Sequence, residues 1–561
     1  MSDESLTSWL QLDLNSWVDY LWTLRTTLSQ YPKSTALCTL LATGWFLKRM
    51  LSSKLEESLK KIQEAGVYRY KRSVPLGVAD EMLVKTQQYA DFGRSTACML
   101  VTGPLTPQLV REGLILLQQR HPQLRLGIHS TTQRGSSRYY FHEYQEPQDK
   151  IVFQVRKRKG DSYWMEVMEE LSNSYRPCID VHDRLLWEVV FLENGDSNTS
   201  DTHDTKHEIL ITASHVIMDG TSRVIFHTDL LKCIAMAQHA QEKNLPRPTI
   251  EHLPMHPSIE ECISGHPLYF KARTWNQILT PDIIRIPLKL LWEASGSRLP
   301  VHQAVTSAER RDRFVYRKRA SAGFIRACKR NHVSVHSGIV GLFGLAMQKA
   351  LDLPASSSLY TSTPVRLRPY SEKHDLSAVL GNTVSSFEIS LPLKTCSSEK
   401  DEKERSALSS GVTKEQQQRV WDYAQVFQNF MHESPEHKLP NSAFHNMHDS
   451  PGINSIALNT KVMSMLIEDN FGRFGNLHLS NLGNCSRYPQ QYGEHKQFKL
   501  LEWHALTSQR TVGYDVSIFT ATFHGEMFFT VQYIEPLLTR EQVDRIADIA
   551  MEMIDQVAKQ C

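Results

Sequence analysis

Apolar and polar positions along this chain follow two periods in turn, one suited to buried strands and one to amphipathic helices. Ser95–Thr102 (STACMLVT) is an apolar run closed by Gly103-Pro104, the pattern of a buried strand. Thr106-Pro107 supplies an N-cap followed by proline at the first helical position, and helical spacing continues to Arg120. His121-Pro122 stops that helix, and Leu124–His129 reads as a second strand. After a polar stretch at Glu193–Asp204, Glu208–Ser214 (EILITAS) predicts another buried strand. A helix follows it, capped by Thr221 or Ser222, with Val224, Ile225, Leu231 and Ile234 on its buried side.

The second half repeats the theme. A glycine-containing helix is expected at Ser337–Leu351, a strand ending in Thr363-Pro364-Val365-Arg366-Leu367-Arg368, and an alternating strand at Val384–Leu391. The charged segment Ser397–Arg419 reads as a solvated loop leading into a helix. Strands are predicted near Phe498–Leu506, Asp515–Ala521 and Glu526–Tyr533. Thr539 and Gln542 form a capping box for a final helix whose apolar face carries Val543, Ile546, Ala550, Met553 and Val557. Strands alternating with helices point to a layered α/β sandwich.

Length and punctuation divide the chain in three. With 561 residues it is too long for one ordinary core. Residues 1–65 form an extension, 66–303 a first half ending in a Pro- and His-rich crossover, and 304–561 a second half. In the extension, Ser34–Leu47 is an uncharged run between Lys33 and Lys48-Arg49, shorter than the ~20 apolar residues that span a bilayer. Trp9, Trp17, Tyr20 and Trp22 precede it, so the segment suits either a membrane surface or a helical hairpin packed on the protein itself.

Composition narrows the function classes. The chain has 63 Lys and Arg against 61 Asp and Glu, so its net charge of +2 gives no reason to expect a nucleic-acid partner. Nine cysteines with no Cys-x-x-Cys pair read as reduced thiols in a cytoplasmic protein, associated at most with a membrane surface. The acidic, polar start (Met1-Ser2-Asp3-Glu4) is unlike a secretory signal. The pairs His332/His336 and His203/His207 have helical ligand spacing but no glutamate arranged as in a zinc protease, so no metal is expected.

The chemistry centres on His215-Val216-Ile217-Met218-Asp219-Gly220, directly after a predicted strand and before a helix. An imidazole there projects from a rigid support and suits proton abstraction near neutral pH. An acid four residues on can hold the turn through an ion pair, and Gly220 lets the backbone bend at the helix entrance. Alone, three fixed residues are a weak pattern, and a histidine at a strand end is more often structural.

The stretch EILITASHVIMDGTSRVIFHTDLL resembles the His-x-x-x-Asp-Gly segment of the chloramphenicol acetyltransferase-like superfamily, which includes alcohol O-acetyltransferases and peptide condensation domains. Gln119–Arg125 resembles the family's early helix-to-strand segment, and Pro364–Pro369 its Pro-Val-Asn-Leu-Arg-Pro segment with Arg366 in place of Asn. Leu380-Gly381-Asn382 and Ser480-Asn481-Leu482-Gly483 resemble two further elements, the last from the alcohol acetyltransferase branch. The resemblance runs over most of residues 75–560. It implies two similar α/β sandwich domains with an active-site tunnel between them, the acyl thioester entering from one face and the acceptor from the other.

By the same resemblance, His215 matches the general base and Asp219 a residue that turns away to pair with an arginine, Arg368 first and Arg366 second. Ser480 or Asn481 matches the oxyanion donor. The implied reaction moves an acyl group from acyl-CoA, a co-substrate and not a cofactor, to an alcohol through a ternary complex, in a monomer. N-acylation, condensation from a carrier-protein thioester, and a catalytically silent binding module of the same fold are the alternatives. The plant-type Asp-Phe-Gly-Trp-Gly element is absent from its expected place.

Overall fold

The computed structural model describes residues 70–133, 136–145, 147–181, 184–194, 205–264, 299, 305–354, 356–393, 414–432 and 472–559. The predicted extension at 1–65, much of the crossover, the loop at 397–413 and His203 lie outside them.

In chain order the first part runs β1 (Tyr70–Pro75), α1 (Val78–Ala90), β2 (Arg94–Thr102), α2 (Pro107–Arg120), β3 (Leu126–Gln133), β4 (Ser136–Tyr144), β5 (Val152–Lys157) and α3 (Tyr163–Asn173). It continues with β6 (Trp187–Glu193), β7 (Lys206–Ser214), α4 (Gly220–Glu242) and α5 (Ile259–Ile263). The later part runs β8 (Arg311–Ala320), α6 (Ser321–Arg330), α7 (Val335–Ala350), β9 (Ser358–Arg366), β10 (Val384–Pro392) and α8 (Lys414–His432). It closes with β11 (Arg473–Asn484), β12 (Gln491–Tyr492), β13 (Phe498–Thr507), β14 (Gly513–Phe523), β15 (Glu526–Glu535) and α9 (Arg540–Lys559).

Two six-stranded sheets organise the fold, in the orders β12-β13-β2-β7-β6-β5 and β10-β9-β11-β14-β15-β8, and a small sheet β1-β4-β3 stands beside them. The first sheet is completed from far along the chain: β13 pairs antiparallel with β2, Trp503 opposite Met99 and His504 opposite Cys98. This exchange ties the two halves together through backbone hydrogen bonds. The architecture is the mixed α/β layering that the alternation of periods predicts.

Local chemistry explains the element ends. Thr106 caps α2, its hydroxyl accepting from Leu109 N at 3.2 Å, with Pro107 in the first turn. Thr539 and Gln542 form the expected reciprocal box at α9, at 2.8 and 3.3 Å. Leu124, read from sequence as the start of a strand, lies instead in a 3-10 turn at Pro122–Arg125, and the strand begins at Leu126. The helix α7 lies in the core of the second half. A Cβ at its Gly341 would meet the carbonyl oxygen of Val420, so the missing side chain is what lets α8 pack this closely.

Candidate active site

The strand β7 is buried from His207 to Ser214, paired on one edge with β2 and on the other with β6. It delivers His215 from its end. The backbone N of His215 donates to Gly93 O at 2.7 Å, and that of Ser214 to Leu186 O at 2.9 Å, so the histidine is anchored to both neighbouring strands.

Asp219 starts the helix that follows. Its extended backbone lets a carboxylate oxygen accept from Ser222 N at 2.7 Å, making Asp219 the N-cap of α4. The cap expected from sequence was Thr221 or Ser222. Both already lie within the first turn, where a side chain cannot reach the amide three residues ahead in capping geometry.

The same carboxylate holds together segments distant in sequence. It accepts from Thr383 N at 3.1 Å and Thr383 Oγ1 at 2.5 Å, and Arg368 Nη2 lies 3.3 Å from each oxygen. Arg368 also donates to Ser222 Oγ at 2.8 Å and, through Nη1, to the carbonyls of Val379 at 2.6 Å and Leu376. Burial alone would raise the pKa of Asp219, but Arg368, Thr383 and Ser222 together hold it well below the usual carboxylate range. Arg366 stands exposed at the end of β9, where strand alternation turns it outward between buried Val365 and Leu367, and it is absent from this network.

Gly220 has no left-handed backbone, so conformational freedom is not why glycine stands there. A Cβ at this position would lie 3.1 Å from Leu482 Cδ2, and its absence makes room for the segment at 480–483. Gly381 is the position that needs its conformation, at φ +154°, and its carbonyl accepts from Asp219 N at 3.1 Å and Ser222 Oγ at 2.9 Å.

His215 is partly exposed, although its Nδ1 is covered and has no partner of ordinary hydrogen-bond geometry. Burial pushes its pKa down to about 4, the buried Arg223 guanidinium adds to the effect, and Asp219, its own backbone and Asn382 oppose it. The imidazole is therefore neutral at pH 7, with a lone pair available. Asn382 is oriented by Asp80, donating from Nδ2 at 3.3 Å.

Ser480 and Asn481 lie on opposite faces of β11. Leu477 and Leu479 are buried in the core, while His478, Ser480 and Leu482 share the partly exposed face that meets Gly220. Asn481 turns its Oδ1 back to Gly483 N at 2.8 Å. The sequence reading offered Ser222 only as a helix cap, and missed its place in the Asp219 network together with Thr383 and Arg223. Position alone, next to recognised motifs, was the only signal for them.

His332 and His336 do not converge. His332 is exposed, and His336 Nε2 lies 3.2 Å from Thr363 Oγ1. His207 sits in β7, its Nδ1 accepting from Asn194 N at 3.3 Å. Among the described residues no three His, Cys, Asp or Glu side chains gather as metal ligands. None of their helices is long and apolar enough to cross a membrane.

Against this geometry, comparisons with known proteins are informative. No curated protein sequence matches the chain. The fold resembles that of the trichothecene 15-O-acetyltransferase TRI3 from Fusarium sporotrichioides, with TM-score 0.60, 15% identity, and coverage of 88% of this chain and 98% of that one. It also resembles the condensation domain of the monacolin K polyketide synthase MokA, with TM-score 0.55, 10% identity, and coverage of 87% and 98%. A third likeness is to the epimerization domain from the third module of tyrocidine synthetase B, with TM-score 0.55, 12% identity, and coverage of 87% and 97%. These likenesses establish the chloramphenicol acetyltransferase-like fold. The family model for alcohol acetyltransferase matches residues 141–503, well over half of the sequence, and the chain belongs to that family.

Proposed function

We propose that this acyltransferase moves an acyl group from acyl-CoA directly to the hydroxyl of an alcohol, with His215 as general base. The observation that carries this reading is a division of labour. His215 offers a neutral, partly exposed imidazole at the end of a rigid strand, while the carboxylate four residues on is fully engaged in holding the fold.

With Nδ1 covered, Nε2 is the nitrogen left to meet the acceptor. It takes the hydroxyl proton as the oxygen attacks the thioester carbonyl. The C–S bond then breaks, and the imidazolium returns its proton to the departing thiolate, so neither a covalent enzyme intermediate nor an outside base is needed. The Ser480 hydroxyl, on the face of β11 that overlooks Gly220, suits stabilisation of the tetrahedral oxyanion. Asn481 suits it less, because its side-chain oxygen is committed to Gly483.

The test is thiol release from acetyl-CoA and longer acyl-CoAs with a panel of alcohols and amines, wild type against His215→Ala. Alcohol-dependent release that is lost in the variant supports the reading. Unchanged turnover in the variant, or transfer only from a carrier-protein thioester, contradicts it. The aromatic-rich extension supports binding at a membrane surface. Deleting residues 1–52 should then abolish co-sedimentation with vesicles.

A further inference from the structure

A cleft beside the end of β7 is lined by three arginines that have no part in the mechanism above. Arg94, Arg176 and Arg184 face it, with Gln87 and Ser214 as polar neighbours, and Glu188 is the single acidic residue among the described residues that line it. Three positive charges against one negative make the cleft cationic, in a chain whose net charge is only +2.

The three guanidiniums are committed to different degrees. Arg94 is 3% exposed, and its Nη2 donates to Ser172 O at 2.9 Å. It is a fixed charge within the cleft wall, where the low dielectric strengthens its field. The carboxylates that act on it are engaged with other groups: Asp91 with Arg510 at 2.9 Å, Glu188 with Arg176 at 3.4 Å, and Asp312 with Gln532 and Ser172 at 2.7 and 3.1 Å. Arg176 gives Glu188 that one long contact and keeps its side chain 39% exposed. Arg184 is partly exposed and makes no hydrogen bond or ion pair among the described residues. Arg176 and Arg184 are therefore the donors that a ligand meets, with the charge of Arg94 behind them.

Size narrows the ligand. The cleft has about 30 Å³ of room, enough for roughly two water-sized atoms. That accommodates the two oxygens of a carboxylate, which a guanidinium fork binds bidentately, and excludes an acyl chain. We propose that Arg176 and Arg184 bind the carboxylate of a small organic acid in this cleft. Gln87 joins the site to β7, its Nε2 donating to Arg176 O at 3.4 Å and its Oε1 accepting from Ser214 Oγ at 2.7 Å. His215 is the next residue but does not line the cleft, so the binding stands whether or not His215 is the base.

The test is calorimetric titration of the full chain with malonate at constant ionic strength, chloride making up the balance. Saturable binding is expected, weakened about 10-fold or more in Arg184→Gln and in Arg176→Gln. Arg184 supports no described contact, so its variant should keep the wild-type melting temperature. Glu188→Gln removes the carboxylate that competes for Arg176, and binding should tighten about 3-fold or more. A general attraction of anions to a basic surface would not single out these positions. Absence of saturable malonate binding, or an affinity unchanged in Arg184→Gln, overturns the proposal. Tighter binding of inorganic phosphate than of malonate overturns the assignment of a carboxylate.

Discussion

Arg368 Nη2 lies 3.3 Å from both carboxylate oxygens of Asp219, across 149 residues of sequence, and both side chains are buried. This contact joins the start of α4 to the turn after β9. The acid of the His-x-x-x-Asp-Gly motif thereby serves as a clamp between the halves of the molecule. It reaches His215 only as a charge that slightly favours its protonation.

Removing the clamp should unfold the protein more readily. Asp219→Ala leaves the Arg368 guanidinium buried without its carboxylate, and breaking such a pair costs about 3–5 kcal/mol. Asp219→Asn, which keeps one acceptor oxygen, for either Ser222 N or Thr383, should cost less. Denaturant midpoints of the two variants should fall in that order, and a stable, correctly folded Asp219→Ala protein would contradict the clamp.

His215→Ala should show the opposite profile. The imidazole makes no hydrogen bond of ordinary geometry through Nδ1, so its loss leaves the network around Asp219 in place. The expected outcome is a denaturant midpoint near that of the wild type, with kcat lowered by roughly 10²–10⁴-fold, the usual contribution of a general base.

The motif and the resemblance already point to a supporting role for Asp219 paired with Arg368, and the structure adds the other donors that hold it. Which elements existed was largely legible, because β7, β14, β15 and α9 carry clear periodicity. The strand β8 (RDRFVYRKRA) was not, since five basic residues in ten interrupt the apolar alternation that marks a strand. In the structure Arg317 pairs with Asp544 and Asp548 and Arg319 with Asp555, all on α9, more than 220 residues later. The strand β11 was hidden by its glycines and asparagines, which parallel pairing with both β9 and β14 overrides. At the site, the motif residues and Arg368 were legible from the resemblance. Thr383 and Ser222 were not, because their roles come from long-range contacts with Asp219 and Arg368.

With His215 as the proposed base, the pH dependence of catalysis should follow its protonation state. With its pKa lowered to about 4, the base form is already dominant at pH 5, a unit and a half below an ordinary histidine. The acid limb of kcat/KM, measured with an uncharged alcohol, should therefore fall below pH 5.5. A limb centred near 6.5 would mean that the ring is hydrated in the free enzyme.

Stability should be more sensitive to acid than activity is. His207 and His227 are buried, with pKa values pushed down by burial to about 4 and about 3. In the unfolded chain both take up protons near 6.5, while the folded state resists until far lower pH. The unfolded state therefore binds more protons between these values, and stability falls as pH drops through 6.5 toward 4, by up to about 1.4 kcal/mol per pH unit for each histidine. Asp312 works the other way. Burial raises its pKa to about 7, so its contribution is full below about 4 and is lost as pH rises through 7. Two histidines outweigh one aspartate, and denaturant midpoints should decline from pH 6.5 to 5. Constant midpoints over that range would show that the histidine shifts are offset elsewhere.

The two neighbouring oxyanion candidates can be separated by their faces on β11. Ser480 lies between His478 and Leu482 on the side that meets the turn at Gly220, and Asn481 bends back to Gly483. Ser480→Ala should remove a donor that acts on the transition state, lowering kcat by about 10²–10³-fold with little change in KM. Asn481→Ala instead loses the 2.8 Å bond that shapes the turn, costing about 1 kcal/mol of stability with a rate close to the wild type. Single-turnover measurements with acetyl-CoA distinguish the two. Equal rate losses in both variants would mean that the turn as a whole, and not the Ser480 hydroxyl, positions the reacting carbonyl.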